Sequence, residues 1–181
     1  MAVVSLDATV VGLGRALGAA VFAGITLLVL RQPWPNRTQL KSLALVAVGV
    51  VFGFPFFSAW AMQHVPASHG AILVGILPLA TALASRLRAH EHPSPLFWVA
   101  SAAGSTVVVT FALRSGGGSF HVADFALLLA VILAALGYAE GGRLARTMGG
   151  WQVICWSLLL AAPFLVGPVA YAVWSNGLSA T

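Results

Sequence analysis

The fold is decided by residues 64–98, HVPASHGAILVGILPLATALASRLRAHEHPSPLFW. An apolar segment of about twenty residues begins at Pro66, carries Pro78 near its middle and stops abruptly at Arg86 and Arg88. A short polar loop separates it from the next apolar segment. A run of this length is what an α-helix needs to cross a bilayer, and a basic stop is typical of its cytoplasmic end. The stretch therefore predicts an integral membrane protein.

The composition supports this interpretation over that of a water-soluble protein. Of the 181 residues, 60% are hydrophobic and 7% are charged, with a mean hydropathy of +0.96. A soluble domain carries about 25% charged residues, so most of this surface must face lipid. The net charge of +5 comes mainly from short loops between apolar runs, which indicates orientation in a bilayer rather than binding to nucleic acid.

Several kinds of chemistry are excluded or unsupported by the sequence. The single cysteine, Cys155, excludes an internal disulfide and a cysteine-based metal cluster. The chain carries no nucleophile elbow, HExxH motif or phosphate-binding loop. The first ten residues contain no Lys or Arg, so they lack the basic region of a signal peptide. We therefore expect no catalytic residues, no metal, no cofactor and no enzymatic activity.

Six apolar segments are long enough to cross a bilayer as helices. They cover approximately residues 8–30, 42–63, 67–86, 96–114, 122–143 and 151–173. The connections between them are short and contain turn-forming residues such as Pro, Asn and Gly. The sequence thus predicts an all-α, multi-pass helical bundle with about six transmembrane helices and no separate soluble domain.

The basic residues of the connections orient this bundle. The odd-numbered connections hold seven of them: Arg31, Arg37, Lys41, Arg86, Arg88, Arg143 and Arg146. The second connection has none, and the fourth has only Arg114. The positive-inside rule then places the connections at 31–41, 86–95 and 143–150 in the cytoplasm, in a plasma or bacterial inner membrane. Both termini would lie outside, which is the pattern of a chain that has lost a preceding helix.

Small residues and prolines within the segments predict how the helices meet. Gly14–Gly18, Gly49–Gly53 and Gly137–Gly141 each form a GxxxG pair, which we interpret as a packing seam, with a moving interface as the alternative. Pro55 and Pro78 lie on consecutive helices. They produce either static kinks or a cavity near the middle of the membrane, as broken helices do in secondary transporters.

The ionisable residues fall mainly near the ends of the segments. Arg15 is expected to anchor at the outer interface, and Asp7 and Asp124 to be solvated at outer ends. Glu140 precedes Arg143 by three residues, so an ordinary ion pair near the cytoplasmic surface is expected, with ion coupling by Glu140 as the alternative.

Four histidines lie in loops or at segment ends and are interpreted as solvated, because no carboxylate or thiol completes a metal site beside them: His64, His69, His90 and His92.

Two stretches of the sequence resemble a known family. The run AxxxGxLPLxTALxSxLxxxExxSxxxW, from Ala71 to Trp98, resembles the fourth and fifth helices of an EamA-type repeat, the unit of the drug/metabolite transporter superfamily. Residues 137–156, GYAEGGRLARTMGGWQVICW, are similar to the first two helices of the second repeat. Family members usually have ten helices in two inverted repeats of five. The resemblance implies that the six segments correspond to helices two to seven of the family. Residues 1–114 would then form a first repeat without its first helix, and residues 122–181 would begin an incomplete second repeat.

The resemblance also implies where a substrate would bind. In the family, the helices matching segments 42–63, 67–86 and 122–143 contribute to a central cavity. The polar or kinking residues on these segments give the candidates for its lining: Ser58, Trp60, Pro78, Thr81 and Tyr138. Serine and threonine in such helices more often bond back to their own backbone, which is the alternative for Ser58 and Thr81.

The function expected is secondary transport, either efflux or uptake of a small organic metabolite or drug by alternating access. The alternative is a non-transporting membrane subunit or scaffold, in which the polar groups serve only helix packing. The expected partners are the lipid bilayer and a small-molecule substrate; a homodimer is left open.

Overall fold

Every element of the part of the chain that is described is helical. The computed structural model describes residues 8–88, 93–114 and 121–176. The helices are α1 (Ala8–Val29), α2 (Arg37–Ala61), α3 (Ala67–Arg88), α4 (Pro95–Arg114), α5 (Ala123–Met148) and α6 (Gly150–Asn176). Each coincides with one of the six predicted segments to within several residues. Asp7, His90, Glu91 and His92 lie outside the described residues.

The lengths of the helices fit a bilayer. The helices α2, α3 and α5, and the Gly150–Gly167 part of α6, are each long and apolar enough to cross a membrane. The apolar stretches of α1 and α4, Gly14–Val29 and Pro95–Phe111, are shorter. The prediction of an all-α, multi-pass membrane protein is confirmed.

Local sequence signals set two of the helix ends at the basic side of the bundle. Asn36 caps α2: its side chain accepts from the Gln39 backbone N–H, and the Gln39 side chain accepts from the Asn36 N–H, each at 2.9 Å. This reciprocal capping box satisfies two backbone donors that a helix start leaves unpaired. Gly149 ends α5 with φ +91°, a conformation that favours glycine, and α6 begins at the next residue.

The helix α2 is not uniform along its length. Residues Ala47–Gly53 form wider π-helical turns between α-helical parts at Arg37–Val46 and Phe54–Ala61, and the Phe54 N–H donates to the Gly49 carbonyl five residues back. Pro55 follows directly and has no N–H to donate. The π-helical stretch is the kind of irregularity that accommodates such a residue inside a helix.

The helix α3 is broken near its middle, just before Pro78. Residues Ala67–Gly75 and Leu77–Arg88 form separate α-helical parts that meet at Ile76. The Ser105 hydroxyl of α4 donates to the Gly75 carbonyl at 2.9 Å. A neighbouring helix thus supplies a hydrogen bond at the break, where the regular ladder is interrupted.

The central helix of the bundle is α5, which packs against α2, α3 and α6. The helix α1 packs against α6, and α4 packs against α3, so both lie further from the centre. The buried stripe of α5 consists largely of small and aliphatic residues, among them Leu127, Ala130, Val131, Ala134, Ala135 and Ala139. Such a stripe lets neighbouring helices approach closely, which is how helices associate in lipid.

Helices α2 and α5 approach each other closely at two glycines. A Cβ atom added to Gly49 would lie 3.2 Å from the Gly137 Cα and would also collide with the Leu133 carbonyl oxygen. A Cβ atom on Gly137 would lie 2.7 Å from Val50. These glycines therefore form the packing seam expected from the sequence. Gly14 and Gly18, by contrast, have no neighbour within 4 Å of such an atom.

This contact gives a prediction about stability. Replacing Gly49 with alanine should lower the free energy of unfolding by about 1–3 kcal/mol, because the added methyl group forces two backbones apart. The matched control is Gly142→Ala on α5, where the methyl group meets nothing within 4 Å. That substitution should leave stability unchanged or raise it by up to about 1 kcal/mol, since alanine favours helix. Thermal unfolding of both variants in detergent measures the two changes in stability. An equal loss of stability in the two variants would contradict the prediction.

Candidate functional site

A cavity of about 900 Å³ lies between the second half of α3, the start of α4 and the inner part of α5. Its lining combines hydroxyl groups, a guanidinium group and apolar side chains: Val74, Leu77, Pro78, Thr81, Ala82, Ser85, Pro93, Ser94, Phe97, Tyr138 and Arg146. The α3 residues in this lining recur every three or four positions, so they lie on one face of the helix. The cavity therefore runs along that face, from the break in α3 towards the basic end of the bundle.

Three of the five predicted cavity residues line this space. Pro78 and Thr81 come from α3 and Tyr138 from α5. Thr81 is half-buried, whereas 44% of Tyr138 is exposed. Whether these residues contact a substrate stays a prediction, but they share one cavity.

The other two predicted residues lie elsewhere. The Ser58 hydroxyl donates to the Phe54 carbonyl of its own helix, the back-bonding that competes with a role in a polar path. The Trp60 ring stacks on the His64 ring, with 4.5 Å between centroids, near the end of α2. Neither residue lines the cavity, and neither does Pro55.

Among the lining residues that were not selected from the sequence as cavity residues, four carry a polar, charged or aromatic group: Ser85, Ser94, Phe97 and Arg146. Ser85 is four residues beyond Thr81, so helical spacing alone would have placed both on one face. Ser94 accepts the Phe97 N–H at 3.2 Å at the start of α4. Arg146 was interpreted only as a marker of orientation, and a basic residue in a loop gives no signal that it faces a cavity.

A cluster of charged and polar side chains ties three helices together at the basic end of the bundle. Glu140 of α5 pairs with Arg143 on its own helix and with the Arg88 Nε at 3.3 Å from the end of α3. Arg143 also donates to the Ser42 hydroxyl of α2 at 3.0 Å. We call Ser42, Arg88, Glu140 and Arg143 the inner polar cluster. The expected ion pair between Glu140 and Arg143 is confirmed, and Arg88 extends it to a second helix.

A second polar contact lies at the opposite end of α5. The His69 Nδ1 and the Asp124 Oδ1 are 2.7 Å apart, and these residues are only 6% and 7% exposed. The other carboxylate oxygen of Asp124 accepts the His121 backbone N–H at 2.8 Å. The prediction that His69 and Asp124 are solvated is therefore wrong, because each buries the other. His64 is exposed, as expected, and its ring bonds to the Trp60 carbonyl.

Within residues 8–88, 93–114 and 121–176, no three His, Cys, Asp or Glu side chains come together as a group that could hold a metal ion. His69 and Asp124 therefore form a pair rather than the start of a ligand set. Their neighbour His121 uses its ring Nδ1 to accept the Ala123 backbone N–H at 3.1 Å.

Comparison with known proteins adds to this geometry. Residues 1–113 match the EamA-like transporter family. The chain belongs to that family. It is 44% identical over 180 residues to the uncharacterized transporter YdeK of Bacillus subtilis (strain 168), covering 99% of this chain and 62% of YdeK. It is 30% identical over 118 residues to the aromatic amino acid exporter YddG of Ancylobacter novellus, covering 64% of this chain and 39% of YddG.

This EamA-like chain thus spans 62% or less of the length of these two curated relatives. No solved structure matches it at a significant level. The resemblance to the EamA-type repeat is confirmed, as are the transporter family and the location in a cell membrane as a multi-pass protein.

The inner polar cluster gives a second prediction. The Glu140 side chain is 3% exposed, whereas Arg88 and Arg143 are 48% and 45% exposed. Removing a guanidinium group leaves a buried carboxylate with fewer partners, whereas removing the carboxylate charge leaves arginines that reach water. Arg143→Gln should therefore lower the free energy of unfolding by about 1–3 kcal/mol, and Glu140→Gln should lower it by less.

The combined variant Arg143→Gln with Glu140→Gln is the control for this prediction. It should be no less stable than Arg143→Gln alone, because no buried charge remains unpaired. Chemical or thermal unfolding in detergent measures all three variants. A larger loss for Glu140→Gln than for Arg143→Gln would show that the carboxylate is not the group that needs its partners.

Proposed function

We propose that this chain is part of a secondary transporter that moves a small organic solute across a cell membrane by alternating access. The observation that carries the proposal is the cavity between α3 and α5 in a chain of the EamA-like family. In secondary transporters, substrate sites lie between helices near the middle of the membrane, often beside broken helices. The break at Ile76 and Pro78 adjoins this cavity.

The chemistry of the lining supports a solute with both polar and apolar parts. Thr81, Ser85, Ser94 and Tyr138 offer hydroxyl groups, and Phe97 offers an aromatic face. The cavity volume of about 900 Å³ falls in the range of small-molecule sites. An amino acid or a compound of similar size and polarity fits this description, and the relative YddG is an aromatic amino acid exporter.

The broken helix α3 supports the alternating-access part of the proposal. Its two α-helical parts meet at a single residue, so the outer part can tilt while the inner part keeps its contacts with α5. Outer and inner access to the cavity would then open in turn, either for efflux or for uptake. We assign the inner polar cluster a structural role in this cycle, with ion coupling by Glu140 as the alternative.

We further propose that α1–α4 are helices two to five of a first repeat and that α5 and α6 begin a second, inverted repeat. The match of residues 1–113 to the family supports this division. The greater length of YdeK and YddG also supports it, because ten helices would need a longer chain. The second copy of the repeat would supply the remaining walls of the cavity.

The proposal predicts the effect of removing two hydroxyl groups. In the full-length protein reconstituted in liposomes, Thr81→Val and Tyr138→Phe should each lower the flux of the transported solute about fivefold, the loss of one hydrogen bond. The matched control is Thr106→Val, because the Thr106 hydroxyl is exposed and bonds to the Ala102 carbonyl of its own helix. That variant should transport like the wild type.

Flux is measured across a panel of amino acids and other small organic solutes, and folded yield is measured by size-exclusion chromatography. Absence of solute-dependent flux in the wild type would overturn the transport proposal and favour a membrane subunit or scaffold. Flux that falls equally in Thr106→Val would show that these hydroxyl groups do not mark the substrate path.

A further inference from the structure

The contact between His69 and Asp124 has no role in the cavity, yet it is the most buried polar side-chain pair between two helices in the described residues. It joins the first turn of α3 to the first turn of α5. The cavity begins at Val74, beside the break in α3, and extends away from this contact towards the inner polar cluster. Burying two polar side chains in a membrane protein costs free energy unless they bond each other, so such pairs are functional candidates.

We propose that His69 and Asp124 form a proton-sensitive latch that holds the outer ends of α3 and α5 together. The inference rests on the proposed transport function, because it assigns the latch to the opening of the outer access path. The outer part of α3, Ala67–Gly75, is the part that the break at Ile76 separates from the rest of the helix. A contact at its first turn therefore controls whether this part can move away from α5.

The geometry defines how protons act on this contact. Each carboxylate oxygen of Asp124 has its own donor, the His69 ring and the His121 backbone N–H, which suits an ionised carboxylate. When His69 carries a second proton, the bond joins two opposite charges and gains their mutual attraction, which a bond from neutral His69 to the carboxylate lacks. When His69 is neutral, a buried carboxylate charge has no opposite charge beside it. Acid thus strengthens the latch, and alkali weakens it.

The contrast between the two ends of α5 explains why only one end responds. The inner polar cluster pairs Glu140 with guanidinium groups, which stay charged at any physiological pH. Histidine is the side chain whose charge ordinarily changes between about pH 5 and 8. The outer contact is therefore the one that the external pH can set.

Other titratable or charged groups lie on the elements around the latch. His64 on the connection before α3, Arg114 at the end of α4 and His121 before α5 are all exposed in the structure. Arg114 does not change charge in this range. The backbone N–H of His121 bonds to Asp124, which keeps this residue beside the carboxylate. Protonation of the His121 ring is therefore the alternative source of a pH response. The variants below separate it from His69.

The test measures the distance between the outer ends of α3 and α5 in the full-length protein. Spin labels are attached to Ala67→Cys and Val122→Cys, both exposed positions, with the native thiol removed by Cys155→Ser. Double electron–electron resonance in lipid nanodiscs without substrate gives the ratio of close to separated states. From about pH 5.5 to about pH 8, this ratio should fall roughly fivefold, because the attraction between the two charges is lost while the hydrogen bond remains.

Two variants make the result specific to the pair. In His69→Gln, the amide can still donate to Asp124 but does not titrate, so the ratio should no longer change with pH. In Asp124→Asn, protonated His69 loses its opposite charge, so acid should now favour the separated state and reverse the sign of the response. His64→Gln and His121→Gln are matched controls and should respond like the wild type.

The outcomes decide the proposal. A ratio that does not change with pH in the wild type, or a response lost in His121→Gln and kept in His69→Gln, overturns it. Size-exclusion chromatography identifies a variant that fails to fold. If either His69→Gln or Asp124→Asn fails, the pH response of the other variant tests the proposal. Because the distance is measured without substrate, a wild type without flux overturns the transport proposal and leaves this measurement intact.

Discussion

In a bilayer, two helices gain little by covering each other's apolar side chains, because the lipid is as apolar as they are. The bundle is therefore held by contacts that lipid cannot replace, and three of those described above converge on α5. His69 bonds to its outer end, Gly49 touches its backbone at Gly137, and Arg88 pairs with Glu140 at its inner end. Each contact comes from α2 or α3, so both helices are positioned by α5.

The same contacts explain where the cavity lies. Between its two polar contacts, α3 meets α5 through small and aliphatic side chains such as Ala80, Ala84, Ala135 and Ala139. Small side chains fill little space, and the break at Ile76 removes a regular turn beside them. Polar side chains from α3 and α5 can then face a common space without filling it.

Sequence alone was sufficient for features that follow from composition or short spacing. The six segments follow from the length of the apolar runs, and the pairing of Glu140 with Arg143 follows from three residues of helix. The orientation in the membrane stays a prediction from the basic loops, although Arg88 and Arg143 do lie together at one end of the bundle. Thr81 and Tyr138 were selected as polar residues on helices expected to meet, and they share a cavity.

Features that depend on a distant partner could not be predicted in this way. His64 and His69 look alike in the sequence, yet only His69 faces a carboxylate, which lies 55 positions along the chain. Ser58 and Thr81 are likewise similar hydroxyl residues on proline-bearing helices. Ser58 bonds to its own backbone, whereas the Thr81 side chain lies in the cavity lining, and only the packing of α5 distinguishes the two.

The one-residue connection at Gly149 has a consequence for biogenesis. Because α5 ends at Met148 and α6 begins at Gly150, a single residue connects the two helices. The two helices also pack against each other, so their contact can form as soon as both leave the ribosome. Such a connection favours entry of α5 and α6 into the bilayer as a preformed helical hairpin, with Gly149 as its tip.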